Sequence, residues 1–209
     1  ALHNTIMPRI HNGHADFSAD NISDDIFKGV NRVIVTACGT AWHAGLVGRH
    51  LIEAMIRIPV TVELASEFRY MNPILDEHTL VVVITQSGET ADSLAALRLA
   101  NERGAKTISI VNVKGSSIAR ESDYVLYTHA GPEIAVASTK AYTVQVASFY
   151  LIGCKLGLVS GRMTKEEAKT FIENLQEVPN LIESVITQAP EIEHLPHGYD
   201  WVAPVIPSP

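Results

Sequence analysis

The sequence is poor in cysteine and in long apolar runs, and each shortage excludes a class of protein. Only two cysteines occur among its 209 residues, Cys38 and Cys154. They lie far apart in apolar surroundings, which predicts buried thiols in a reducing compartment rather than a disulfide framework. The longest apolar stretch, 144–158, is interrupted by Ser148 and Lys155. We expect it to be too short to span a bilayer and therefore expect no membrane partner.

Positive charge is also scarce. The formal net charge is −7, and Lys and Arg form no stripe that would offset this balance. Both observations argue against a nucleic-acid partner. No basic segment followed by an apolar one opens the chain, so we expect it to act in the cytoplasm.

Two signatures of nucleotide binding and the signature of a metal site are missing as well. The turn after the first predicted strand, 39–45, lacks the G-x-G-x-x-G pattern of dinucleotide sites, and no P-loop occurs elsewhere. His3, His11 and His14 lie near the N-terminus without the cysteine or carboxylate spacing of a metal site. The sequence therefore predicts neither a nucleotide of these two kinds nor a metal.

What the sequence does contain is a regular alternation of apolar, strand-like runs with helical periodicity. The predicted strands are Arg32–Cys38, Val60–Ala65, Leu80–Thr85, Thr107–Val111 and Asp123–Thr128, and a long buried helix is predicted over Ser138–Leu156. Strands that alternate with helices pair in parallel, with helices on both faces of the sheet. The predicted fold class is α/β, a three-layer sandwich with a five-stranded parallel sheet and extra C-terminal helices.

The two ends of the chain differ from this centre. Residues 1–28 are polar and predict an arm or short helix packed on the main domain, which we place at 29–160. Residues 161–189 predict a helical linker, and residues 190–209 form a tail without usable periodicity.

The helical linker carries clear start and stop signals. Thr164 and Glu167 have the spacing of a capping box, and Pro179 is expected to end the helix that they begin. A second helix over Leu181–Thr187 should turn three apolar side chains inward: Ile182, Val185 and Ile186. An apolar stripe formed by Phe171, Leu175 and Ile182 would need a cover, which supports self-association of the chain.

Three loops rich in small and hydroxyl residues precede predicted helices: 39–41, 85–90 and 135–140. In parallel sheets such loops meet beyond the carboxyl ends of the strands, where ligands bind. The loop over 85–90 combines hydroxyls with the free N–H groups and positive dipole of a helix N-terminus, which suit a phosphate. The plain alternative is that Ser87 or Thr90 merely caps the helix.

Positive charge is absent around the loop at 85–90. No Lys or Arg lies between Arg69 and Arg98, so hydrogen bonds and the helix dipole would hold the anion. Lys140, in the first turn of the long helix, opposes that helix's dipole, which favours a nearby anion, although a solvated lysine is the alternative.

We interpret the other polar residues near these loops mainly as packing or surface residues. For His43 we favour a packing or surface role, and Glu133 is either a pocket carboxylate or a solvated loop residue. Three residues near the end of the second strand predict surface charge pairs: Glu63, Glu67 and Arg69.

Five motifs occur in order along the chain: Ala37–Thr40, Glu63–Arg69, Gln86–Asp92, Gly115–Glu121 and Gly131–Ala141. Together they resemble the glutamine–fructose-6-phosphate aminotransferase family (glucosamine-6-phosphate synthases), in the first of its two sugar isomerase (SIS) domains. The similarity covers residues 1–189 in order and without large gaps.

The resemblance implies a domain that binds fructose 6-phosphate or glucosamine 6-phosphate and needs neither a metal nor an organic cofactor. The residues that it implies for the phosphate are Thr85, Gln86, Ser87 and Thr90. Those that it implies for the sugar are Thr40, Val136 and Ser138, with Lys140 as a candidate helper. The family usually has serine where Thr85 and Ala41 stand. The first change keeps the hydroxyl, and the second removes one hydrogen bond, worth about 0.5–1.5 kcal/mol.

The family's catalytic groups belong to other regions, namely a glutaminase domain with an N-terminal cysteine nucleophile and the second SIS domain with its tail. The resemblance therefore assigns no catalytic residue to this chain and makes residues 1–28 a linker from the glutaminase domain. We predict a sugar-phosphate-binding fragment that forms a homodimer and does not complete the reaction alone. Two alternatives stay open: a stand-alone sugar-phosphate sensor, and a small ketose/aldose isomerase whose base would be Glu133, Glu63 or His43.

Overall fold

Five short apolar runs pair as a parallel sheet in the computed structural model, which describes residues 1–133 and 138–188. The strands are β1 (Ile10–His11), β2 (His14–Ala15), β3 (Arg32–Ala37), β4 (Val60–Leu64), β5 (Thr79–Thr85), β6 (Lys106–Val111) and β7 (Tyr124–Tyr127). The first two form a small antiparallel hairpin, and the other five form the sheet in the order β4-β3-β5-β6-β7. The five predicted strands are confirmed to within one residue at each end.

Helices cover both faces of this sheet. They are α1 (Leu2–Ile6), α2 (Gly39–Ile56), α3 (Ala65–Phe68), α4 (Ala91–Glu102), α5 (Ser117–Glu121), α6 (Lys140–Val159) and α7 (Lys165–Ile186). Side chains alternate along β3, so that Val33 and Val35 join one core with α2 and α6, whereas Ile34 joins a second core with α3 and α4. The predicted three-layer α/β class is confirmed.

The register of the strands brings two helix N-termini together. Ala37, the last residue of β3, lies beside Ile84, and Thr85, the last residue of β5, lies beside Val111. The chain therefore leaves β3 and β5 at the same edge of the sheet, and α2 and α4 both begin there. This edge is where open α/β sheets bind their ligands.

The N-terminal residues are more deeply integrated than an arm would be. Ile6, Phe17 and Phe27 are completely or almost completely buried and belong to the same core as β3 and α6. Arg9 is buried as well; its guanidinium pairs with Asp20 at 2.6 Å and donates to a backbone carbonyl of β7. Residues 1–28 thus complete one face of the domain, and their origin as a linker stays a prediction.

The C-terminal helix differs from its prediction. The capping box of Thr164 and Glu167 is confirmed, but α7 continues through Pro179, so the expected break there is wrong. A proline removes one backbone hydrogen bond, while the bonds on both sides of it keep the helix intact. The side chains expected to point inward are exposed instead, because this end of α7 borders a groove beside α1 and the start of α6 rather than packing closely against them; these are Ile182, Val185 and Ile186.

The apolar stripe of α7 is mostly covered within the chain. Leu175 is buried, and Phe171 packs edge-on against Tyr150 with ring centroids 5.9 Å apart. Of the predicted stripe, Ile182 alone stays exposed. The homodimer therefore stays a prediction, and the tail at 190–209 lies outside the described residues.

The long helix α6 is buried rather than membrane-spanning in character. At 20 residues it is long and apolar enough to cross a bilayer by length and composition alone, so the expectation that it is too short is wrong. However, 61% of its most apolar window is buried inside the domain, which is the environment of a core helix. The cytoplasmic location stays a prediction.

Candidate functional site

A cavity of about 270 Å³ opens at the carboxyl edge of the sheet, between the beginnings of α2, α4 and α6. It is lined by Cys38, Gly39, Thr40, Ala41, Ile84, Thr85, Gln86, Ser87, Thr90, Ser93, Ser138 and Gln145. Hydroxyl, amide and thiol groups dominate this lining, and none of these residues is basic or acidic. An anion bound here would be held by hydrogen bonds and helix dipoles.

The loop between β5 and α4 uses its own hydroxyls to fix its shape. Thr85 Oγ1 accepts a hydrogen bond from the Gly88 amide at 3.1 Å, and Ser87 Oγ accepts from the Glu89 amide at 3.2 Å. Thr90 is the N-cap of α4, but its side chain makes no capping hydrogen bond. The interpretation that Ser87 or Thr90 caps α4 is therefore wrong, and the first-turn N–H groups lack a side-chain acceptor among the described residues.

The beginning of α2 is arranged in the same way. Cys38 is its N-cap and makes no capping hydrogen bond, and Gly39 starts the helix with a positive φ of 58°. Two uncapped helix N-termini, those of α2 and α4, thus lie at one cavity. Each carries a partial positive charge that favours an anion.

Glu133 accepts hydrogen bonds from the start of α6. Its Oε2 accepts hydrogen bonds from the Ser138 hydroxyl and from the Ala141 amide, both at 3.1 Å. Glu133 is therefore a structural partner of α6 that holds Ser138 in place at the cavity, and it is not among the residues lining the cavity.

Most of the sequence-predicted binding residues come together here. Six of them line the cavity: Thr40, Thr85, Gln86, Ser87, Thr90 and Ser138. Val136 lies outside the described residues. Lys140 lines a separate groove with α1 and the end of α7, so its helper role stays a prediction. His43 is exposed and packs edge-on against Trp42, in agreement with a surface role.

Sequence reasoning missed two polar lining residues, Ser93 and Gln145. Ser93 is 1% exposed, and its hydroxyl has no hydrogen-bond partner in the part of the chain that the structure describes. The signal for Ser93 is its position three residues after Thr90, on the same helix face. The signal for Gln145 is a polar residue inside an otherwise apolar helix.

The charged residues after β4 lie outside the cavity. Arg69 Nη1 and Asp92 Oδ1 are 3.7 Å apart, and both side chains are more than one-third exposed. Solvent screens such a pair, so it stabilises the fold by at most about 1 kcal/mol. This agrees with the predicted surface charge pairing of Arg69.

The two cysteines differ, which corrects the expectation that both are buried. Cys154 is completely buried, and burial raises the pKa of its thiol to about 11. Cys38 is half-buried, because it begins α2 at the cavity. A thiol that is both buried and protonated reacts slowly.

We therefore expect one fast-reacting thiol in the native protein and two after unfolding. In a titration with a chromogenic disulfide reagent at pH 8, Cys38 should react at least about 100-fold faster than Cys154. The matched control is Cys38→Ser, in which the fast phase should disappear. A fast phase that survives this substitution would contradict the burial of Cys154.

Comparisons with known proteins agree with this geometry. Residues 26–154 match the sequence profile of the SIS domain family. A glutamine–fructose-6-phosphate aminotransferase (isomerizing) from Clostridium tetani is 49% identical over 187 residues, which cover 88% of this chain and 31% of that protein. The corresponding protein of Streptomyces coelicolor is 50% identical over 188 residues, or 89% of this chain and 30% of that protein.

A solved structure extends the similarity to three dimensions. The C-terminal domain of glucosamine-fructose-6-phosphate aminotransferase from Francisella tularensis superposes with a TM-score of 0.87 at 32% identity, covering 93% of this chain and 55% of that one. The resemblance to these aminotransferases is thus confirmed, although the chain spans about 30% of the length of these two curated relatives. By its profile match, its sheet and its superposition, the chain belongs to the SIS domain family.

Proposed function

We propose that this chain is the sugar-phosphate-binding domain of a glutamine-dependent aminotransferase and that it binds fructose 6-phosphate or glucosamine 6-phosphate. The observation that carries the proposal is a cavity lined by uncharged residues, at which two helix N-termini without a side-chain cap and six side-chain hydroxyls meet. The named activity of its relatives supports the choice of a hexose phosphate.

The phosphate belongs at the start of α4. There the free first-turn N–H groups and the hydroxyls of Ser87 and Thr90 can donate to its oxygens, while Thr85 keeps the loop in shape. A helix dipole stabilises a nearby anion by about 0.3–1 kcal/mol, and by up to about 2 kcal/mol when partly buried. Hydrogen bonds to a charged group add about 1.5–3 kcal/mol each.

The sugar extends from the phosphate towards α2 and α6. Thr40, Ser138 and Gln145 supply hydroxyl and amide groups that can both donate and accept, as sugar hydroxyls require. The cavity lies slightly below the range of about 300–1,000 Å³ typical of drug-sized ligands, which suits one hexose phosphate.

The same geometry argues against isomerisation by the isolated chain. A general base must lie within hydrogen-bond reach of the proton that it removes. None of the three candidate bases lines the cavity. The carboxylate of Glu133 accepts hydrogen bonds at the start of α6, His43 is exposed, and Glu63 lies on β4. The complete aminotransferase reaction therefore depends on regions that the relatives possess beyond the matched 30% of their length.

Calorimetric titration combined with proton exchange tests the proposal. Fructose 6-phosphate and glucosamine 6-phosphate should bind, inorganic phosphate should bind more weakly, and fructose should not bind. In D₂O the proton on carbon 2 of glucosamine 6-phosphate should not exchange. Saturating fructose 6-phosphate should also slow the reaction of Cys38 with the disulfide reagent.

The matched variants are Ser87→Ala and Ser184→Ala. Ser87→Ala should weaken fructose 6-phosphate binding about tenfold, whereas the exposed hydroxyl of Ser184 on α7 should be dispensable. Binding of fructose as tightly as its phosphate would refute the proposal. Exchange at carbon 2 would favour the isomerase instead.

A further inference from the structure

We propose that Glu89 is a positioning residue, which braces the β5–α4 loop against α5 and so keeps the phosphate-binding groups in place. This inference rests on the proposed function for its ligand but on the described contacts for its mechanism. Glu89 is exposed and is not among the residues that line the cavity, so it acts through the loop rather than on the ligand.

The loop is attached to α5 at three points. Glu89 Oε1 accepts a hydrogen bond from the Ser117 amide at 2.9 Å, and the Gly88 carbonyl accepts from the Ile118 amide at 3.0 Å. Gly88 also lies directly against the buried side chain of Ser116. Glu89 thus supplies the capping acceptor that the N-cap of α5, Ser116, does not provide.

The pKa of Glu89 agrees with this attachment. Hydrogen bonds from Ser117 lower the pKa of the carboxyl, and the nearby Arg120 lowers it further. The carboxylate is therefore the form that the structure favours, and hydrogen bonds to an ionised acceptor are stronger than those between neutral groups.

α5 is itself fixed to α4. Arg98 donates two parallel hydrogen bonds to the carboxylate of Glu121, each 2.7 Å long, and Asn101 Nδ2 donates to the Glu121 carbonyl at 3.1 Å. The loop therefore contacts α5, α5 contacts α4, and the loop continues directly into α4. Breaking the contact between Glu89 and Ser117 removes one of the three attachments between the loop and α5.

A loose loop weakens binding without any lost ligand contact. If only a fraction of molecules holds the loop in the binding conformation, the apparent dissociation constant rises by the inverse of that fraction. Because the loss precedes binding, it should be the same for every ligand that uses the phosphate-binding groups.

The test compares Glu89→Ala and Glu89→Gln with the control Glu102→Ala, which removes an exposed glutamate at the end of α4. Dissociation constants for inorganic phosphate and fructose 6-phosphate are measured alongside hydrogen exchange of the loop amides. Glu89→Ala should weaken both ligands about tenfold and by the same factor. Glu89→Gln, which keeps a carbonyl acceptor, should weaken both by less than about threefold.

Hydrogen exchange supplies the readout that needs no ligand. In Glu89→Ala the amides of residues 86–90 and 117–118 should exchange at least about tenfold faster, and saturating phosphate should restore their protection. Glu102→Ala should exchange like the wild type.

The outcomes separate this inference from the proposed function. Unchanged hydrogen exchange in Glu89→Ala would contradict the proposal that Glu89 holds the β5–α4 loop in place. Weaker binding of fructose 6-phosphate with unchanged binding of inorganic phosphate would also contradict it, since that pattern indicates direct contact between Glu89 and the sugar. If the wild type binds neither ligand, the proposed function fails, while the exchange comparison still decides whether Glu89 holds the loop.

Discussion

Replacing Gly88 with alanine should reduce fructose 6-phosphate binding at least about 100-fold. Gly88 has a φ of 72°, and an added Cβ would lie 1.9 Å from Ser116 Oγ and 2.4 Å from Ser116 Cβ. Left-handed backbone costs a residue with a Cβ about 1–2 kcal/mol, and the steric overlap forces the loop to move as well. The loop that moves is the one that presents the phosphate-binding groups, so the affinity should fall together with the stability.

Two variants separate the backbone strain of the positive φ at Gly88 from the steric overlap with Ser116. Gly104→Ala places a Cβ at a φ of 76° where no atom lies within 4 Å, so it should show the backbone cost alone and bind normally. Gly88→Ala combined with Ser116→Gly removes the two closest contacts, leaving Val111 Cγ1 at 3.1 Å, and should recover part of the affinity. These are measured by calorimetric titration and by urea unfolding. Wild-type affinity in Gly88→Ala would show that the loop does not hold the ligand.

Replacing Gly48 with alanine should cause the largest loss of stability, about 3 kcal/mol. Gly48 lies in α2 where it crosses α6, and an added Cβ would be 2.5 Å from Phe149 Cγ. In an open helix the same substitution would stabilise by about 1 kcal/mol, so the sign of the result reports the packing. Phe149 is completely buried and cannot move without opening the core, and such overpacking costs about 1–3 kcal/mol or more.

The control for this prediction is Gly153→Ala on the facing helix. Its added Cβ would lie 3.3 Å from Leu51 Cδ2, the tip of a flexible side chain, so its effect should stay within about 0.5 kcal/mol. Phe149→Ala removes the Cγ and ring atoms that an added Cβ at Gly48 would overlap, so the costs of Gly48→Ala and Phe149→Ala should be less than additive in the double variant. Urea midpoints give these values, and an equal or raised midpoint for Gly48→Ala alone would contradict the close crossing of α2 and α6.

The sheet and the cavity lining were largely predictable because their signals are local. β-branched runs such as Leu80–Thr85 fix a buried strand, and hydroxyls placed directly after it must lie at the carboxyl edge. The convergence of the loops at Thr40, Ser87 and Ser138 then follows from parallel pairing, without knowledge of side-chain contacts.

The remaining features depend on contacts between distant segments. Nothing local shows that Ile6, Phe17 and Phe27 complete the core, since the segment around them is polar. Pro179 is a strong local break signal, but the tertiary packing of the first half of α7 outweighs one lost hydrogen bond. Similarly, the partner of Glu89 is 28 residues away in sequence, so the brace becomes visible only in the folded chain.

A crystal structure of the chain soaked with fructose 6-phosphate tests the central claim most directly. We predict the phosphate at the start of α4, with its oxygens about 2.7–3.2 Å from first-turn amides and from the hydroxyls of Ser87 and Thr90. An empty cavity, or a phosphate bound only elsewhere, such as beside Arg9, Lys114 and His129, would contradict it.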